Sequence, residues 1–360
     1  MARTGKHPDA ALKFGCRILI AMSGELSHGL PSLITADNRI LRADEMSPVL
    51  LRGVNRSGLE YSEPDADGFL SAARIIQDEI HEIVSGWHAN TLRIPFNQDW
   101  CLNGRGVHSS EEYLASLDQV IAWAAELGAY TILDLQWLDA ETVYGTTDHP
   151  TQGRAATHVA PTPNEQTVML WRTLAARYFN ETAVLFDLMN EPHDALEDDP
   201  HPLNLIGSDG SVAPSNETRL SAREWSRWAL GLTAAIRQIK QDGIIMVGGV
   251  DWAFDLSGIR VDAPNIVYST HIYSNRRRRD WSKALGGYRE VPIFVGEWGG
   301  TEHDVAFGAA LAMQMRSLGV GWTAWSWNDF PPLVESPGAP IYKATPFGAL
   351  VRNELTLSPT

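Results

Sequence analysis

"AVLFDLMNEP", residues Ala183 to Pro192, is an apolar run that ends in a carboxylate. Asp187 is its only polar interruption before Asn190 and Glu191, so the segment reads as a strand buried on both faces. Pro192 has no N–H to give a sheet ladder and ends the pairing. Strands covered on both faces belong to parallel sheets, whose connections are helical. A carboxylate at the mouth of such a strand is costly unless it is paired or used.

Outward from that strand the same unit recurs. "LITADNRILRADEMSPVLLRG" reads as a hairpin turning at Asp37-Asn38, followed by a strand over Val49–Asn55. Helical periodicity in "FLSAARIIQDEIHEIVSG" precedes the strand "NTLRIPF", and a helix over Glu111–Gly128 precedes "YTILDLQW". A helix over Asn164–Phe179 leads to the opening strand, and one over Glu217–Gln241 leads to "IIMVGGVDW" and then "NIVYSTHIY". A short helix near Trp281–Tyr288, the strand "VPIFVGEWGG", a helix over Asp304–Ser317, "VGWTAWSWND" and a last helix near Phe347–Glu354 complete the series. Eight strands, nearly all separated by helices, predict a closed (β/α)8 barrel of class α/β, preceded by a short hairpin. No Gly-rich dinucleotide fingerprint follows the first strand, which disfavours an open doubly wound sheet. Residues 1–32 read as an N-terminal tail and 33–360 as one (β/α)8 domain.

The bulk composition is that of a globular protein with a sizeable core: 44% hydrophobic and 20% charged. A formal net charge of −15 argues against nucleic acid and anionic membranes as partners. Two cysteines, Cys16 and Cys101, support neither a disulfide framework nor a thiolate zinc site. The N-terminus has a basic start and a brief apolar run interrupted by Arg17, a poor signal peptide.

Polar residues gather at the C-terminal ends of the strands, the face where barrel enzymes keep their chemistry. They are Arg93, Gln136 with Trp137, Asn190 with Glu191, His271 with Tyr273, Glu297 with Trp298, and Trp325. The fourth and seventh strands oppose each other across the mouth, so Glu191 and Glu297 are expected to face one another. Two opposed carboxylates can protonate a glycosidic oxygen and attack the anomeric carbon. Arg93 is a candidate to keep one of them ionised. Of thirteen tryptophans, Trp123, Trp171, Trp225 and Trp228 fall on helices and read as packing residues. Trp100, Trp137, Trp252 and Trp298 follow strands and are the candidates for stacking on sugar.

This constellation resembles glycoside hydrolase family 5, the cellulase-type retaining hydrolases. The resemblance is carried by "LRGVN", "TLRIPF", "LFDLMNEPH", "VYSTHIY", "PIFVGEWG" and "WTAWSW", and extends from about Leu33 to the C-terminus. It implies Glu191 as acid/base, Glu297 as nucleophile, Arg93 as partner of Glu297, and Asn190 against a substrate hydroxyl. His271 then sits beside the acid/base, Tyr273 near the nucleophile, and Trp325 under the reacting sugar. No metal or organic cofactor is implied, and the substrate is a polysaccharide or oligosaccharide. One position departs: Gln136 stands where the family commonly has histidine, and glutamine cannot titrate. His149 or His158 could supply an imidazole there.

The expected activity is an endo-β-1,4-glucanase; mannanases, xyloglucanases and exo-acting glucosidases share the same residues. A metal-dependent barrel hydrolase using His149, His158, His193 and His271, and a non-catalytic carbohydrate-binding barrel, are the readings from other classes. A polymeric substrate points to a secreted or periplasmic protein. The run Arg276–Arg279 reads as a solvated loop, or as a contact for acidic sugar branches. The sequence carries no signal for oligomeric state.

Overall fold

A computed structural model describes residues 29–138, 162–193, 220–274, 281–336 and 341–357. Strands β1 (Leu33–Ala36) and β2 (Arg39–Arg42) form an antiparallel hairpin that turns at Asp37 and Asn38, with Leu33 opposite Arg42. Eight parallel strands then close into a barrel: β3 (Arg52–Asn55), β4 (Thr91–Asn97), β5 (Tyr130–Trp137), β6 (Val184–Asp187), β7 (Ile245–Gly248), β8 (Ile266–Tyr273), β9 (Ile293–Gly299) and β10 (Gly321–Ala324). The last pairs with the first, Thr323 opposite Gly53, so no barrel strand is left as an edge. The (β/α)8 architecture expected from the alternation is the one present.

The helices on the outside are α1 (Phe69–Ala72), α2 (Gln77–His81), α3 (Gln98–Asn103), α4 (Ser110–Glu126), α5 (Glu165–Arg177), α6 (Ala222–Arg237), α7 (Ser282–Leu285), α8 (Val305–Leu318) and α9 (Pro346–Thr356). Their starts follow local chemistry. Ser109 and Glu112 form a reciprocal capping box on α4, Ser221 caps α6, and Thr345 precedes Pro346 at α9. Two tryptophans tie helices to strand ends: Trp171 Nε1 donates to the Leu188 carbonyl at 3.2 Å, and Trp225 Nε1 to that of Gly248 at 2.7 Å.

The single helix expected over residues 69–86 is broken. Arg74 sits in the left-handed region (φ 53°), and α2 resumes only at Gln77 before running into a π turn over Glu82–Gly86. The cause lies beneath it. Buried Arg56 donates to the carbonyls of Ala73 (3.1 Å) and Arg74 (2.9 Å) and pairs with Glu79 at 2.6 Å. A guanidinium taken out of water needs such acceptors, and the opened turn provides them. Helix α3 was not expected; Asn97 starts it by accepting from the amides of Asp99 and Trp100.

The core has two parts. Between barrel and helices lies the larger, including Trp87, Phe96, Trp171, Trp225 and Trp298. Inside the N-terminal end of the barrel, Ile132, Leu185, Met246, Val267 and Phe294 pack with Leu33 and Ile40 of the hairpin, which therefore closes the floor. Residues 30–31, assigned to the tail, touch that floor: Tyr130 Oη donates to the Pro31 carbonyl at 2.8 Å and Thr182 Oγ1 to that of Leu30 at 2.5 Å. Apolar side chains fill one end, so polar ones are left to the other. Among the described residues no helix is long and apolar enough to cross a membrane.

Candidate active site

Arg93 is the hub of the polar end, fully buried on β4. Its Nε donates to Asp187 Oδ2 (3.0 Å), its Nη1 to Glu297 Oε1 (2.9 Å) and Asn55 Oδ1 (3.0 Å), and its Nη2 to Asn190 Oδ1 (2.9 Å). Nη2 also lies 2.9 Å from Asp134 Oδ1, a charge contact off the N–H direction. Burial alone would pull the guanidinium pKa down; Asp134, Asp187 and Glu297 outweigh it and hold it above its ordinary value. Asp134 and Asp187, register partners on β5 and β6, are themselves pushed up by burial, with Arg93 opposing. Asp187, the polar interruption in the opening strand, is thus a support for Arg93. From the sequence, no role was assigned to either aspartate or to Asn55. Their signal is a lone polar residue at an inward position of an otherwise apolar strand.

The two glutamates reach the mouth by different routes. Glu297 points inward from β9, opposite His271 of β8, a pairing created by a register shift after Thr270. Glu191 follows β6 behind Asn190, whose amide donates to the Leu135 carbonyl of β5 at 3.0 Å. Tyr273 Oη donates to Glu297 Oε2 at 2.7 Å, so Arg93 and Tyr273 occupy separate oxygens of one carboxylate. Burial, and then the charges of Glu297 and Glu191, push the Tyr273 phenol up, so it stays a donor. His271 Nδ1 lies 2.9 Å from Glu191 Oε1 and 3.5 Å from Glu297 Oε2. One oxygen from each carboxylate and the imidazole nitrogen all fall within 4.8 Å of one another. That spacing would also admit a divalent cation, although Arg93 beside Glu297 opposes it by charge.

Gly296 lies directly under His271. A Cβ there would come within 2.6 Å of Ser269 Oγ and 2.9 Å of His271 Nε2, both buried. Gly296→Ala is therefore expected to displace the imidazole and loosen its contact with Glu191, lowering kcat by about 10- to 100-fold. Steady-state kinetics with thermal melting checks this: the loss should exceed what a modest drop in Tm explains.

The remaining expected site residues divide. Gln136 is half-buried on β5, and its Oε1 is buried with no hydrogen-bond partner among the described residues, an acceptor left over for a hydroxyl. Trp137 is buried with its ring 6.0 Å from that of Tyr61. Trp325 follows β10 and donates from Nε1 to the Phe330 carbonyl at 3.2 Å. Trp298 is corrected. Strand alternation that turns Glu297 inward turns Trp298 outward, where it is fully buried against Trp322 (5.1 Å) and Phe347 (5.5 Å). Trp100 is corrected likewise; it packs on Phe69 and Tyr113 beneath α4. His149, His158 and Arg276–Arg279 lie outside the described residues.

A second acidic group, missed from the sequence, borders the mouth after β3. Glu60 accepts from the Gly58 amide (2.6 Å) and from Ser57 Oγ, which is 3.4 Å from Asp329 Oδ2. Burial foremost, with the Asp329 charge, pushes the Glu60 carboxyl from 4.5 up to about 8, against the Ser57 and Gly58 donors. The folded chain therefore holds a proton that the unfolded chain has released. Stability from this group is full below the ordinary carboxyl range and is lost as pH rises toward 8. Glu60→Gln should flatten that slope, gaining on the order of a few kcal/mol over wild type at pH 8 and little at pH 5. Urea unfolding at the two pH values checks it; an equal change at both would contradict the buried proton.

Comparison with known proteins places this geometry. The model of the family Cellulase (glycosyl hydrolase family 5) matches residues 47–331. Endoglucanase MaCel5A from Microbulbifer sp. (strain ALW1) is 21% identical over 320 residues, 84% of this chain and 52% of the relative. Endoglucanase N from Pectobacterium atrosepticum is 22% identical over 318 residues, 84% of this chain and 58% of the relative. The chain thus spans about half the length of the curated relatives it matches. Among solved structures, the β-glucanase SdGluc5_26A from Saccharophagus degradans has the same fold, with a TM-score of 0.66, 20% identity, and 91% of this chain and 93% of that one covered. With most of its length matched and the barrel in place, the chain belongs to the cellulase family, glycosyl hydrolase family 5.

Proposed function

We propose that this protein is a retaining endo-β-1,4-glucanase in which Glu191 is the acid/base and Glu297 the nucleophile. The observation that carries the reading is the carboxylate pair, with oxygens within 4.8 Å across the mouth. Retaining enzymes place the two groups about 5–5.5 Å apart, while inverting ones leave about 6.5–9.5 Å for a water. Glu297, oriented by Arg93 and Tyr273, attacks the anomeric carbon as Glu191 gives its proton to the departing oxygen. Water then attacks the glycosyl-enzyme ester, giving its proton to Glu191, and Glu297 is released. Asn190, turned by Arg93, and the open acceptor of Gln136 supply hydrogen bonds to sugar hydroxyls. Endo action on glucan is supported by the relatives named endoglucanases and by a cellotetraose complex of the Saccharophagus enzyme. Work on a polymer belongs outside the cytoplasm, so export is part of the reading.

Reducing-sugar release and viscosity loss should be followed on carboxymethyl cellulose, mixed-linkage glucan, mannan, xylan and xyloglucan, with and without EDTA. A β-1,4-glucan is expected to be the best substrate, with viscosity falling early and chelator without effect. Preference for mannan or xylan would move the assignment within the family; loss of activity to EDTA would sink the two-glutamate mechanism in favour of a cation at Glu191, His271 and Glu297.

A further inference from the structure

Just beyond β7 the backbone carries three consecutive non-glycine residues in the left-handed region: Asp251 (φ 57°), Trp252 (φ 59°) and Ala253 (φ 58°). Aspartate tolerates that conformation; tryptophan and alanine disfavour it through their Cβ atoms. Such a run persists only where its surroundings over-determine it, and strained backbone of this kind clusters at functional sites. Here the surroundings are specific. The Trp252 amide donates to the Pro192 carbonyl at 3.1 Å, one residue past Glu191. The Trp252 indole lies flat on the His193 ring, centroids 3.9 Å apart and planes within 10°. His193 Nδ1 donates in turn to the Glu191 carbonyl at 2.7 Å. On the other side, the His271 amide donates to the Ala253 carbonyl at 3.3 Å.

One turn is therefore tied to the backbone on both sides of the Glu191–His271 contact. Its Trp252 end holds the Glu191–Pro192–His193 segment, and its Ala253 end holds His271. The left-handed twist lets adjacent residues present an N–H to one loop and a carbonyl to the neighbouring strand. We infer that the Asp251–Trp252–Ala253 turn and the His193–Trp252 stack form a clamp that sets the acid/base Glu191 against His271. His193 and Trp252 are then positioning residues, acting through Glu191. This rests on the assignment of Glu191 made above.

The clamp is tested by leaving-group dependence, because a 2,4-dinitrophenolate departs without a proton whereas a phenolate needs one. The value of kcat/KM reports glycosylation and would be measured on 2,4-dinitrophenyl and phenyl β-cellobiosides. The chains compared are wild type, Trp252→Gly, Trp252→Phe, His193→Ala and Glu191→Ala. Trp252→Gly keeps a residue at ease in the left-handed region while deleting the stack, so it guards against a variant that merely fails to fold. Trp252→Gly and His193→Ala are expected to lose about 10- to 100-fold on the phenyl substrate and under threefold on the dinitrophenyl one. Trp252→Phe, which can restack, should recover most of the loss. Equal losses on both substrates, or none on either, would overturn the clamp while Glu191→Ala still shows the selective loss. If Glu191→Ala itself lacks that selectivity, the acid/base assignment falls and the clamp with it.

Discussion

Replacement of Glu297 by Gln is expected to lower kcat by on the order of 10⁴- to 10⁶-fold, with little change in stability. Glutamine keeps the volume of the side chain. Its carbonyl oxygen can still accept from Arg93, and its NH₂ can donate to Tyr273 Oη, which turns from donor to acceptor. The surroundings are thus nearly conserved while the attacking oxygen is lost. A complementary chain, Glu297→Gly, opens space beside the anomeric carbon. With azide and an activated β-cellobioside it should form the α-glycosyl azide, because azide approaches from the face Glu297 held. A β-azide from Glu297→Gly would place the nucleophile elsewhere.

Loss of Arg93 should produce the largest stability change. Arg93→Met keeps much of the length and removes the charge that faces Asp134, Asp187 and Glu297 in a buried site. Stranding buried partners of an ion pair costs about 3–5 kcal/mol. Asn55 and Asn190 also lose the donor that fixes their side-chain oxygens, so substrate binding should suffer with the nucleophile. The pH dependence has a definite sign. Without Arg93 the pKa values of Asp134 and Asp187, already raised by burial in the folded state, rise further, so the folded variant takes up protons that the unfolded chain does not hold. Its stability is then greatest in acid and falls as pH increases. Urea midpoints should show a smaller deficit at pH 5 than at pH 8. A deficit that grows in acid would mean that the aspartates are not stabilised by Arg93.

Much of this was legible in the chain because barrel strands are simple signals. Apolar runs such as "YTILDLQW" and "VPIFVGEWGG", separated by helical periodicity, leave little freedom once eight are counted. Strand-end position also flagged Glu191 and Glu297, and the structure brings them together with Arg93, Asn190, His271 and Tyr273. Facing was harder. Trp298 follows Glu297 by one residue, and in a strand covered on both faces neither phase looks different from the other. Contacts distant in sequence were hidden too. The break in the helix before α2 comes from Arg56, and the raised Glu60 comes from burial beside Asp329. The turn at Asp251–Ala253 contains no glycine to announce its left-handed backbone.

The most direct test of the mechanism is to trap the covalent intermediate. Incubation with 2,4-dinitrophenyl 2-deoxy-2-fluoro-β-cellobioside should inactivate the enzyme, since fluorine slows both steps and the good leaving group preserves the first. Proteolysis and tandem mass spectrometry should then find one fluorocellobiosyl group, esterified to Glu297 in the segment Val291–Gly300. A label on any other residue, or stoichiometric turnover to the inverted sugar with no label, would contradict the double displacement.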